Sequence, residues 1–234
     1  MEVEIPGCWW PGFVAGGAVT YAVFNYLTTF FLPSSACHTA CQRWKWRSVA
    51  TSLLHSVISG LWATLAFYQA PEMQNDLLSE FTFSCHACVS FSIGYFLYDA
   101  LDMTLYHRKR STYELLVHHF MSVTCLGIAV STGQYIAYAG LSLITEISAV
   151  FTNTRRLFII CGEPKSSLRY RTNSLLIVAT FLTFRILLLG WMTRWLTVNR
   201  DRIPLPVFTI GSVGLAVIVS TRFPSYLTSL CRSS

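Results

Sequence analysis

The sequence predicts an all-α, multi-pass transmembrane helix bundle of about seven spans, with six as the alternative. Three observations carry that expectation. The 234 residues are 53% hydrophobic and only 12% charged, against roughly 25% charged in a soluble domain. Several apolar stretches reach the roughly 20 residues that a helix needs to cross a bilayer. None of them alternates like a barrel strand, and backbone groups in lipid must be satisfied within the segment, which leaves helices.

The elements follow in order from apolar stretches and their flanking charges. Phe13–Leu32 comes after Glu2 and Glu4 and before Arg43, Lys45 and Arg47. Ser48–Ala70 runs from that basic connection to an acidic loop, residues 71–80, which carries Glu72, Asp76 and Glu80. Phe81–Leu101 leads from the acidic loop to a turn with Arg108, Lys109 and Arg110, and Tyr113–Ser131 leads away from it. Gln134–Leu157 ends in the group Arg155, Arg156, Lys165, Arg169 and Arg171. Thr172–Trp195 contains Arg185, and Leu205–Leu227 is followed by Arg232. The six-span alternative turns on the boundaries of the fifth and sixth stretches. With no internal repeat, low-complexity tract or long linker, the chain reads as one membrane domain over residues 43–230. An N-terminal span and connection (1–42) precede it, and a short cytosolic tail (231–234) follows.

Of the 17 Lys and Arg, all but Arg185, Arg194, Arg200 and Arg202 fall on one side of seven spans. By the positive-inside rule that side is cytosolic, which makes the N-terminus extracytoplasmic and the C-terminus cytosolic. The net charge of +6 is scattered through short connections, where it reads as topology and headgroup contact, so no nucleic-acid partner is expected. The N-terminus lacks the basic n-region of a cleavable signal peptide, and the tail from Cys231 to Ser234 has no KDEL-type signal. Among the eight cysteines, Cys85 and Cys88 form a C-x-x-C inside an apolar span with no second pair at zinc spacing. Together with Cys125 and Cys161 they read as packing residues. Cys37 and Cys41, in the first cytosolic connection, are acylation candidates.

Residues 94–122, GYFLYDALDMTLYHRKRSTYELLVHHFMS, place acids and a histidine pair within two spans joined by a basic turn. Ionisable groups are costly in hydrocarbon and usually face a protein interior or a wet cavity. Asp99 lies 10 residues before Lys109, and His118 and His119 lie 9 and 10 after it. At about 1.5 Å rise per residue the acid and the imidazoles share one depth. His55 on the second span and Glu146 on the fifth fall near the same level. Tyr95, Asp99 and Asp102 share a face at i, i+4 and i+7, as do Glu114 and His118, and Glu146 and Asn153. The expected catalytic candidates are therefore His118, His119 and Asp99, with His55, Tyr95, Asp102, Glu146 and Asn153 as substrate-binding residues. His86 and Arg185 do not fall at the common level. The bland alternative is that these groups only join helices by hydrogen bonds, worth on the order of 1 kcal/mol each in membranes.

The six histidines, at 38, 55, 86, 107, 118 and 119, do not form the H-x-x-x-H or H-x-x-H-H clusters of a di-iron desaturase. An H-E-x-x-H zinc site, a G-x-S-x-G elbow and a P-loop are also absent from the sequence, so neither metal nor other cofactor is expected. The connections are very short for a seven-helix receptor. General acid–base transfer onto an acyl group, with histidine as base and a carboxylate to orient it, fits these residues.

The strings HSVISGLWATLAFYQAPEM (55–73), GYFLYDALDM, YELLVHH and EISAVFTNTRR, in that order, resemble the TLC-domain family of TRAM, Lag and CLN homologues. Within it the chain is most similar to the calfacilitin-type plasma-membrane branch. The resemblance covers roughly residues 43–230. It implies a multi-span helical bundle with a polar pocket among the helices. In the ceramide-synthase relatives the histidine pair belongs to the acyl-transfer site, which maps to His118 and His119. Those relatives continue with a stretch like H-D-x-x-D-x-x-x-E, whereas Thr145–Asn153 keeps an acid only at Glu146, with Ala149 and Asn153 at the next two positions.

For the calfacilitin-type branch the resemblance implies control of phospholipid acyl composition, limiting polyunsaturated phospholipids and membrane fluidity. The plasma membrane is then the expected location, with the endoplasmic reticulum as the alternative. Three functions stay open: a regulator or binder of acyl lipids, a lipid acyltransferase using acyl-CoA or phospholipid, and a non-catalytic subunit of a membrane-protein partner such as a calcium channel.

Overall fold

The computed structural model describes residues 9–34, 39–106 and 110–231, with the backbone alone for 110–111 and 219–231. The expectations resting on Glu2, Glu4, Cys37, the Arg108–Lys109 centre of the basic turn and the last three residues lie outside the described residues. Among the described residues the chain is helical throughout, without strands. The helices are α1 (Trp10–Leu27), α2 (Ala40–Gln69), α3 (Phe83–Tyr106), α4 (Arg110–Thr132), α5 (Ile136–Ile144), α6 (Ile147–Ile160), α7 (Leu168–Thr180), α8 (Leu189–Val198) and α9 (Leu205–Cys231). Helices α5 and α6 form one rod with a break, and α7 continues through a π-helical stretch, Phe181–Leu188, into α8. Seven rods result, an all-helical multi-pass membrane bundle. Among the described residues, four segments are long and apolar enough to span a membrane by length and composition alone: Ala40–Gln69, Thr112–Thr132, Ile136–Ile160 and Leu168–Val198.

The ends of these rods follow from local chemistry. Thr39 and Gln42 form a reciprocal capping box, so α2 starts eight residues before the apolar stretch does. Pro71 follows its end, where it opens a 3-10 turn. Ser167 caps α7 by accepting from the Tyr170 N–H at 3.2 Å. Gly133 and Tyr135 both adopt positive φ between α4 and α5, unusual for a tyrosine, and the Tyr135 N–H is held by the Leu78 carbonyl at 2.8 Å.

Helix α3 is the centre of the bundle, with buried residues on nearly every face, from Cys85 to Met103. Helix α1 lies against it at backbone distance: a Cβ on Gly94 would sit inside contact distance of the Val14 carbonyl oxygen and 2.6 Å from the Ala18 nitrogen. Small residues allow this approach between membrane helices. Asn25 joins α1 to α2, donating to Thr51 Oγ1 at 3.2 Å and accepting from Arg47. The two thiols of the C-x-x-C engage different elements. Cys85 contacts the Ile136 carbonyl on α5 and Cys88 the Ser59 carbonyl on α2, which is a packing arrangement.

At the end of the bundle remote from Arg43, Lys45 and Arg47, Arg202 meets Asp76 at 2.9 Å. Burial alone would raise the Asp76 carboxyl. Hydrogen bonds from the Leu78 N–H, the Ser79 hydroxyl and Arg202 outweigh it and hold the group below its usual range. The pair places the 71–80 loop and the 199–203 connection at one end, so an even number of spans separates them. The orientation expected from the charges then gives a direct outcome. A cysteine introduced at the exposed Asn75 should react with an impermeant thiol reagent from the extracytoplasmic side of sealed membranes. One at Ser166 should react only from the cytosolic side. The reverse pattern would invert the orientation.

Candidate functional site

The polar groups converge because four helices turn them inward at one depth. His119, on α4, places Nε2 3.1 Å from Asp99 Oδ2 on α3, and both side chains are buried. The two atoms approach closely without the geometry of a hydrogen bond. A carboxylate beside Nε2 leaves Nδ1 for other chemistry, and that atom has no hydrogen-bond partner among the described residues. His55 is stacked on Tyr95 with ring centroids 3.8 Å apart and planes 10° apart, and Tyr21 of α1 closes the stack edge-on at 5.7 Å.

Glu146 sits at the break between α5 and α6. Here the Ser142, Thr145 and Ser148 hydroxyls each bond to a carbonyl three residues back, and the Thr145 and Glu146 N–H groups bond three residues back as well. Such side-chain competition loosens a helix, and irregular backbone at membrane depth is tolerated where it is buried in protein or lines a cavity. Ser56 of α2 donates to the Glu146 carboxylate at 3.3 Å. From the π-helical stretch, Arg185 donates Nε to Ser148 Oγ at 2.9 Å and brings Nη2 within 4.0 Å of Glu146. The depth count from sequence put Arg185 off the common level. The length of its side chain and the π-turn, a local feature frequent at functional sites, bring it to Glu146.

Two cavities meet at this level. The larger, about 450 Å³, opens at the basic end between Lys45, Glu114 and Arg156 and reaches Tyr95, Asp99, His119 and Glu146. The other, about 110 Å³, runs toward the Asp76 end between α4, α5, α8 and α9, with His118 and Glu146 at its inner end and Met121, Leu126, Met192 and Leu215 among its walls. His118 and His119 therefore serve different cavities. Consecutive residues on a helix are about 100° apart, from 3.6 residues per turn. Glu114 and His118 likewise do not share one cavity, since Glu114 stands at the polar mouth.

Of the eight residues singled out from sequence, Tyr95, Asp99, His119 and Glu146 line the polar cavity, and His118 and Glu146 the apolar one. The other three stand behind lining side chains. His55 supports Tyr95, Asp102 accepts from Trp44 Nε1 at 2.7 Å, and Asn153 Nδ2 donates to Ser52 Oγ at 3.1 Å. Trp44, Ser52 and Phe96 also line the cavities and carry no charge by which the sequence could mark them. Arg185, expected off the common level, reaches Glu146.

A sequence profile of the TLC domain matches residues 45–227. TLC domain-containing protein 2 of Danio rerio is 44% identical over 201 residues, covering 86% of this chain and 80% of the relative. The human protein of that name is 33% identical, covering 80% of this chain and 69% of its own. TLC domain-containing protein 1 of Homo sapiens is 26% identical over 93% of this chain and 87% of its own. No solved structure matches significantly.

Proposed function

The chain belongs to the TLC-domain family, and from that premise we propose that it acts in membrane lipid homeostasis. In this reading it regulates the acyl composition of phospholipids at the plasma membrane, limiting polyunsaturated chains and so membrane fluidity. The observation that carries it is the polar cavity that leads from the basic end to the Asp99–His119 pair and adjoins an apolar chamber. Its polar walls suit an ester or headgroup, and the neighbouring hydrocarbon-lined space suits a chain. Lys45 and Arg156 at the mouth suit the phosphates of a phospholipid or an acyl-CoA.

The Asp99–His119 pair also favours a second reading, lipid acyl transfer. The carboxylate holds the ring, and the imidazole takes the proton of an attacking hydroxyl or amine as it adds to an acyl carbonyl. The bond to the donor's leaving group then breaks, and the proton passes to that group. The test is lipidomics of cells with and without the protein. Loss of the protein should raise polyunsaturated phospholipids, and restoring it should lower them. An unchanged phospholipid acyl profile would sink the reading and favour an interaction subunit. Purified protein offered labelled acyl donors then separates a transferase, which forms product, from a regulator that only binds.

A further inference from the structure

What separates the two neighbouring cavities is specific. Phe96 and Glu146 are the side chains that line both and stand where the polar walls end and the apolar walls begin. Phe96 is 4% exposed and makes ring contacts with every imidazole of the site. Its centroid lies 5.1 Å from His55, 6.3 Å from His118 at 87°, and 5.4 Å from His119. Glu146 is fixed on the opposite helix pair by Ser56 and Arg185, which leaves the aromatic ring as the uncharged, rotatable half of the divide.

We propose that Phe96 is a selectivity gate: an acyl lipid binds with its polar end beside Asp99 and His119, its chain passes the Phe96 ring, and the apolar chamber takes the carbons just beyond the ring. This deepens the lipid reading of the site and rests on it. The steric logic is direct. A saturated chain can extend through a constriction beside a ring. Each cis double bond fixes a bend, so a chain with several sweeps a wider section and is held back. In a hydrophobic pocket a misfit of even one methylene is worth about 10- to 200-fold, so the gate accounts for a preference without any polar contact to the chain. Leu126 and Leu215 line only the far chamber and set affinity for the tail without setting which tail passes.

The test measures binding of lysophospholipids carrying an arachidonoyl chain or the saturated arachidoyl chain of the same length to the purified full-length protein in nanodiscs. The wild-type protein is expected to favour the saturated chain by about 10-fold or more. Phe96→Ala joins the chambers and should bring the ratio near one while binding of the saturated chain persists. Leu126→Ala should weaken both ligands with the ratio kept. If Phe96→Ala does not remain monodisperse, Phe96→Leu decides, with an intermediate ratio expected. A wild-type ratio preserved in the Phe96 variants, or no wild-type preference, overturns the gate and leaves the lipid reading standing. No binding of either lipid by the wild-type protein would instead overturn the reading of the cavities as a lipid site, and the gate with it.

Discussion

Replacing His119 with alanine is expected to abolish the protein's effect on phospholipid acyl composition while the chain still reaches its membrane at normal abundance. The side chain faces the polar cavity and is paired with Asp99, so its removal takes away both a ring nitrogen and the partner of a buried acid. Asp99 also lines the polar cavity, which limits the damage to the fold. The companion variant Asp99→Asn keeps the shape of the side chain but replaces the carboxyl group beside Nε2 with an amide. If the site performs acyl transfer, each change should lower the rate by at least about 100-fold with lipid binding largely retained. If the site only binds, affinity itself should fall. His118→Ala acts in the other chamber and should also impair the phenotype, through the chain rather than the polar end. Full activity in the His118→Ala/His119→Ala double variant, at wild-type abundance, would show that neither imidazole matters and would point to an interaction subunit.

The seven rods could be read from the sequence because each is an apolar stretch bounded by charge or, between the fourth and the fifth, by Thr132-Gly133, and such a non-alternating stretch in lipid is a helix. The meeting of Asp99 with His119 could be read from counting residues away from Lys109, since two antiparallel helices share a rise per residue. Helix irregularities were harder. The break at Thr145–Glu146 arises from three hydroxyls that bond to their own helix, and an apolar window averaging over them sees one continuous span. The π-stretch that carries Arg185 to Glu146 has no composition of its own. Phe96 is the clearest case: in an apolar helix it is one more phenylalanine, and only the packing of α2, α4 and α5 around α3 puts it between two cavities. Charge marks where a membrane protein hides its polar groups, but it says nothing about which hydrocarbon side chains divide the space.

Gly94→Val is expected to be the most destabilising single change outside the polar site, because it forces a side chain between two backbones. Even the first added carbon would lie within contact distance of the Val14 carbonyl oxygen, 2.6 Å from the Ala18 nitrogen and 3.0 Å from Gly17 Cα. Those atoms belong to the α1 backbone, so no rotamer change relieves the overlap and α1 must move away from α3. Overpacking that side chains can absorb costs about 1–3 kcal/mol, and a clash with backbone on a rigid helix should exceed that. The consequence reaches the site. Tyr21 on α1 braces His55 at 5.7 Å and Tyr95 at 5.1 Å, so a displaced α1 frees the stack that supports the polar cavity. Gly127, on α4, is the internal control: a Cβ there meets nothing within 4 Å, and Gly127→Ala should be neutral or stabilising, up to about 1 kcal/mol from helix propensity. Thermal unfolding of the two purified variants in the same detergent checks the pair. A Gly94→Val protein as stable as Gly127→Ala would mean that α1 does not dock on α3 at backbone distance.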